Sequence, residues 1–242
     1  MSEDGGPAPA QPPPPPKRQR QRQFSPYTAF VGLAFLALVA FAGINTLRTS
    51  EGGIVKNGSD IGDALAEFAI ADARSDLEGD ANIAQDDCKS SERPCPKDDI
   101  RTPACEVDEP GAIRVCDLFD RPLVLSFWFT RGGDCENQQD AFEGAYRRYG
   151  DSVNFLGIDI RDSRDKVRDL IDSHGWTHPI GLDADGALSN LYRIGVCPTF
   201  IYVYPGGIVQ NSSVGEIDSA ELDSNIDALK AASAKRAAEE KG

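Results

Sequence analysis

None of the six cysteines stands in a C-x-x-C pair, and the sequence offers only two histidines, His174 and His178. Zinc sites need thiolate and imidazole ligands clustered at characteristic spacings, so no metal is expected and disulfides are the better use of these cysteines. Basic residues are also few, 25 against 39 acidic ones, for a net charge of -14. Lys17, Arg18, Arg20, Arg22 and Arg48 precede residue 49 with only Glu3 and Asp4 against them, so the remainder is more acidic still. Such a body repels phosphates, which excludes nucleic acid as a partner. Internal repeats are absent, and 242 residues that are 40% hydrophobic leave room for one domain plus appendages.

The first 23 residues form a Pro- and Gln-rich stretch that cannot bury a core, and they are expected to be a disordered cytoplasmic tail. Tyr27–Leu47 then runs for 21 residues without a charge, enough to cross a bilayer at ~1.5 Å per residue. The KRQRQR segment before it predicts, by the positive-inside rule, a single-pass anchor over 24–48 with the N-terminus cytoplasmic and all that follows extracytoplasmic. Ala40-Phe41-Ala42 also has the small-x-small form of a cleaved signal peptide. Either reading exports the domain.

A polar linker, 49–62, leads to LAEFAIA (Leu65–Ala71), which suits a first short strand. Residues 72–102 show no clear periodicity and hold Cys88 and Cys95, a candidate structural disulfide. Cys105–Cys116 reads as a hairpin, CEV and AIRVC about the turn DEPG. Its turn would bring Cys105 and Cys116 together as a second structural disulfide, although spacing alone does not fix connectivity.

Leu123–Phe129 is continuously apolar and too short for a surface helix, so it reads as a central strand buried on both faces. It ends in Gly132-Gly133, and from Cys135 onward Ala141, Phe142, Ala145, Tyr146 and Tyr149 recur at helical spacing. This places Cys135 at a helix N-terminus, where unpaired N–H groups and the helix dipole favour a thiolate. Arg131 adds to that effect, while Asp134 and Glu136 oppose it. Val153–Ile160 is a second buried strand, and Ser163 caps a helix ending near His174-Gly175. A short helix over about Ala184–Arg193, a hairpin of TFIYVY and IVQNSSV, and a last helix from near Ser219 complete an α/β pattern with a mixed sheet.

Residues 63–231 resemble the thioredoxin fold, nearest the membrane-anchored redoxin or TlpA-like thiol-disulfide oxidoreductases, with a polar tail over 232–242. Phe127-Trp128 matches the family's strand end, and Gly132-Gly133-Asp134-Cys135 occupies the C-x-x-C frame, Gly132 replacing the first cysteine and Cys135 matching the second. Asp183-x-Asp185-Gly186, Tyr192, Ile194 and Pro198-Thr199 fall in the order the family shows before its cis-proline and hairpin. The resemblance implies that Cys197, just before that proline, packs against the redox loop. It can stand in for the missing cysteine or be a small buried residue below the site.

On this resemblance Cys135 and Cys197 are the catalytic pair, and Pro198, Thr130, Arg131 and Gly132 contact substrate. The implied partners are protein thiols or disulfides and an electron-donor protein, with no cofactor. Two alternatives remain, a redox-inactive binding module and a one-cysteine peroxidase at Cys135. Thr130 and Cys135 are five apart rather than the three of the T-x-x-C peroxidase motif. Asp183 and Asp185 form no EF-hand, because the twelfth loop position would be Ile194. His174, His178 and Trp176 are expected in structural roles.

Overall fold

The computed structural model of the chain describes residues 61–79, 81, 102–131 and 135–240. The apolar run Tyr27–Leu47, the tail before it, and Cys88, Cys95 and Gly132 lie outside them. No helix among the described residues is long and apolar enough to cross a membrane.

Among the described residues, seven strands form a single sheet in the order β2-β1-β5-β4-β3-β6-β7. They are β1 (Ala69–Asp72), β2 (Ala112–Arg114), β3 (Leu123–Trp128), β4 (Asn154–Ile160), β5 (Ile180–Asp183), β6 (Thr199–Tyr204) and β7 (Ile208–Val214). Between and after them come α1 (Cys135–Tyr149), α2 (Arg164–His174), α3 (Ala187–Leu191) and α4 (Ser219–Glu239). β3 pairs parallel with β4 and antiparallel with β6, and β4 pairs parallel with β5, so the sheet is mixed.

All six residues of β3 are buried, as a run that is apolar but for Ser126 requires. Leu123, Leu125 and Phe127 face one layer of core with Leu156, Ile158, Ile201 and Tyr192. Val124 faces the other with Phe155, Phe200, Phe142 of α1 and Leu222 and Ile226 of α4. Burying each such side chain stabilises the fold by ~1.5 to 3 kcal/mol. Ser163 caps α2 by accepting from the Lys166 N–H, and Gly175 ends that helix at φ 65°, a left-handed conformation that glycine adopts without a Cβ penalty.

Four expectations are corrected. The hairpin over Cys105–Cys116 does not form: Ala104–Glu106 and Val115–Leu118 are short 3₁₀ turns, and β2 pairs with β1 instead. The turn itself is present, Ala112 N–H donating to Glu109 O at 3.0 Å, but the edge of β1 offered Ala112–Arg114 a longer ladder. The first strand starts later than Leu65, at Ala69. The helix read over 184–193 is confined to Ala187–Leu191. The final helix runs on to Glu239 through the segment read as a tail.

Candidate redox site

The parallel step from β3 into α1 and the antiparallel return along β6 meet at one end of the sheet. Phe127 of β3 registers with Thr199 of β6, so Cys197 and Pro198 stand beside the end of β3 from which the chain leads to Cys135. The Cys197–Pro198 peptide is cis. Thr199 Oγ1 donates to Val196 O at 2.6 Å and Gly215 N–H to Pro198 O at 2.9 Å, holding this loop to β7.

Cys135 and Cys197 are joined in a disulfide with their Cα atoms 5.9 Å apart, inside the span a bridge requires. Cys135 is 4% exposed, within a cluster of Trp128, Val167, Ile171, Trp176, Ile180 and Leu182. Cys197 is half-buried at the edge of that cluster. Trp128 and Trp176 meet edge to face at 5.5 Å beneath the bridge.

The loop leaving β3 is tied down by acid groups at the end of β4. Thr130 donates its N–H and its hydroxyl to Asp162 at 2.8 and 2.7 Å, and Lys166 donates to the same hydroxyl. Arg131 is exposed and donates to Arg161 O at 2.9 Å. Thr130 is therefore engaged in supporting the loop, while Arg131 and Cys197 reach the surface. Pro198 is buried.

Asp159, directly opposite Trp128 in the ladder, is buried. Burial and the neighbouring Asp162 charge push its carboxyl up to about 8, so it holds a proton at neutral pH. Burial alone would raise Asp162 as well, but hydrogen bonds from Thr130 and the Lys166 charge bring it down. Neither acid stood out in the sequence. The only signal was the charge of Asp159 inside the strand and of Asp162 just after it.

A second polar group lies deeper. Ser126 of β3 accepts from Gln139 Nε2 at 2.8 Å, one helical turn beyond Cys135. Glu143, a further turn on, accepts from Thr177 N–H and hydroxyl and from His178 N–H, and contacts His178 Nδ1 at 2.8 Å. Burial would raise Glu143, but hydrogen bonds from Thr177 and His178 outweigh it and hold the carboxyl at about 2. Burial pushes His178 down to about 4 against the pull of Glu143, so a neutral ring donates Nδ1–H to a carboxylate. His174 and Trp176 Nε1 share Asp140 at 2.9 and 2.7 Å. These contacts give both histidines and Trp176 packing roles.

Cys105 and Cys116 form a second disulfide among the described residues, Cα atoms 5.6 Å apart. Among the described residues, Glu67, Cys105 and Cys116 bring three metal-ligating side chains together, but both sulfurs are spent in the bridge.

A buried strand delivering one cysteine to a helix start, bridged to a second cysteine before a cis-proline, sets the frame for comparison. Residues 99–212 match the model of the AhpC/TSA family. The matched stretch takes in β2 to most of β7 and both bridged pairs. The chain is 25% identical over 119 residues to the thiol-disulfide oxidoreductase ResA of Oceanobacillus iheyensis, covering 49% of this chain and 62% of that protein. It thus spans less than two thirds of that relative's length. Among solved structures, a candidate thiol:disulfide interchange protein DsbE from Chlorobium tepidum superposes with TM-score 0.52 at 16% identity, covering 71% of this chain and 98% of that one. A candidate protein disulfide isomerase from Bacteroides thetaiotaomicron gives TM-score 0.51 at 17% identity, covering 73% and 93%. The fold is thioredoxin-like, a mixed sheet with flanking helices.

Proposed function

We propose that this chain is a thiol-disulfide oxidoreductase of the ResA/DsbE type that cycles Cys135 and Cys197 between dithiol and disulfide. The observation that carries the reading is the bridge itself, joining a helix-start cysteine to a cysteine before the cis-proline. The name of the ResA relative speaks for the same chemistry. In the reducing direction, a substrate disulfide takes two electrons from the dithiol and leaves as two thiols, while the protein disulfide forms. Substrates are protein thiols or disulfides, and a second thiol protein restores the starting state.

The proposal extends to location. Tyr27–Leu47 anchors the chain and the domain faces an extracytoplasmic compartment, where disulfides persist. The test of activity is reduction of a protein disulfide by wild type, Cys135→Ser and Cys197→Ser. Activity in wild type and its loss in both variants supports the reading. Activity that survives Cys197→Ser but not Cys135→Ser points instead to one-cysteine peroxidase chemistry. For location, a topology reporter fused after Gly242 should be active outside the cytoplasm, and activity confined to the cytoplasm contradicts the anchor.

A further inference from the structure

We propose that thiol exchange enters and leaves through Cys197, so that the mixed disulfide with substrate forms there and Cys135 is the resolving cysteine. This rests on the oxidoreductase reading above and adds an order of events to it.

Three observations converge. The first is access: an attacking thiolate must reach the sulfur it displaces. Cys135 is 4% exposed beneath an aromatic and aliphatic cluster, whereas Cys197 is half-buried and follows Val196, which is 51% exposed.

The second is the leaving group. Attack on Cys197 Sγ expels Cys135 as a thiolate at the first residue of the 15-residue α1. Unpaired N–H groups and the helix dipole stabilise the anion there, and a lower leaving-group pKa speeds exchange. The opposite attack would expel Cys197 as the thiolate. Its sulfur lies 3.9 Å from the carbonyl oxygen of Phe129, which repels an anion, and the residue after it is a proline without an N–H to offer.

The third is the surface that meets the substrate. Ile61, Val196 and Val214 are the exposed large apolar side chains among the described residues. Val214 registers with Thr199, so two of the three flank the Cys197–Pro198 loop. An uncharged disulfide with apolar neighbours fits that rim.

The steps balance. Cys197 gives up its thiol proton to solvent as it attacks one sulfur of the substrate disulfide, forming the mixed disulfide and releasing a first thiolate that takes a proton up. Cys135 thiolate then attacks Cys197 Sγ, releases the second substrate sulfur and closes the protein bridge. Two electrons have passed to the substrate.

The test uses the reduced full-length protein and dithiodipyridine, a neutral aromatic disulfide whose released thiopyridone is read by absorbance. Peptide mapping by mass spectrometry locates the adduct. Cys135→Ser should gain an adduct on Cys197 at least ~10-fold faster than Cys197→Ser gains one on Cys135. Acid-quenched wild type should carry its transient adduct on Cys197 before the bridge closes, which guards against misfolding of either variant. Val196→Asp, a change at an exposed site, should slow capture ~3-fold by removing apolar contact, and an unchanged rate would overturn the apolar rim. A wild-type protein that closes its bridge normally but carries the adduct on Cys135 overturns the order alone. Failure to close the bridge overturns the order together with the oxidoreductase reading.

Discussion

Replacing Asp159 by Asn should make the protein more stable at neutral pH, although it alters a buried residue opposite Trp128 in the sheet. Asp159 Oδ1 accepts from the Asp162 N–H at 3.1 Å, while Oδ2 is buried and without a hydrogen-bond partner among the described residues. Its carboxyl is pushed from 3.8 to about 8 by burial first and by the Asp162 charge second. Between those two values the folded protein holds this proton and the unfolded chain has lost it. Fewer protons on the unfolded state mean that stability falls as pH rises. The loss begins near pH 4 and is complete above pH 8. Each pH unit in that window is worth about 1.4 kcal/mol, so by pH 7 the ionisable group has lowered stability by roughly 4 kcal/mol.

Asn keeps the shape and cannot ionise. The variant and wild type should therefore match near pH 4 and diverge by up to roughly 4 kcal/mol in favour of Asn at pH 7. Other titrating groups are common to both proteins and largely cancel in the difference. Denaturant unfolding followed by the fluorescence of the buried Trp128 and Trp176 measures it at both pH values. A variant less stable than wild type at pH 7, or a difference that does not change with pH, would refute the reasoning.

Removing the Cys105–Cys116 bridge, which spans 11 residues, should lower stability by ~2 to 5 kcal/mol in thermal melts while leaving exchange at Cys135 and Cys197 in place. A Cβ on Gly157 would stand 3.1 Å from His178 Nε2 and 3.2 Å from Gln139 Oε1, both buried. Gly157→Ala should therefore destabilise by about 1 to 3 kcal/mol through overpacking, read by circular dichroism. Burial lowers His178 from 6.5 to about 4, so over that window the unfolded state binds the extra proton and stability falls on acidification. A pH series of unfolding curves should show this slope, and His178→Gln should flatten it. Glu143, held from 4.5 down to about 2, adds a separate loss below pH 4.5 as the unfolded carboxyl takes its proton first.

β3 was legible because a continuous apolar run closed by glycines fits a central strand and little else. The helix phase also carried over, with Cys135, Phe142 and Ala145 buried on the same side of α1. That Cys197 would stand next to Cys135 could not be read from spacing, since 62 residues separate them. The resemblance to a fold with a cis-proline loop was what brought them together. β5 escaped notice because its four residues include Gly181 and show no alternation; its existence depends on β1 and β4 offering ladders on both sides. The hairpin misreading has a similar origin, since local turn chemistry was right and the strand's partner lay 43 residues earlier, at Ala69–Ala71. The Glu143–His178 pair joins polar residues 35 apart, and neither carries a signal that names the other. Asp159 was read within the strand Val153–Ile160, but nothing in the sequence marked its carboxyl as buried beside Asp162, because charge alone does not tell a strand's buried end from its exposed end.

The central claim is that Cys135 and Cys197 form a redox pair while Cys105 and Cys116 form a structural bridge. A titration of the full-length protein in dithiothreitol buffers of graded potential, with alkylation and peptide mapping at each step, measures all four sulfurs at once. The account predicts that Cys135 and Cys197 become alkylated together, in a single two-electron transition, at potentials where Cys105 and Cys116 are still protected. Alkylation of Cys135 and Cys197 in different steps, or only after the Cys105–Cys116 bridge has opened, would contradict it.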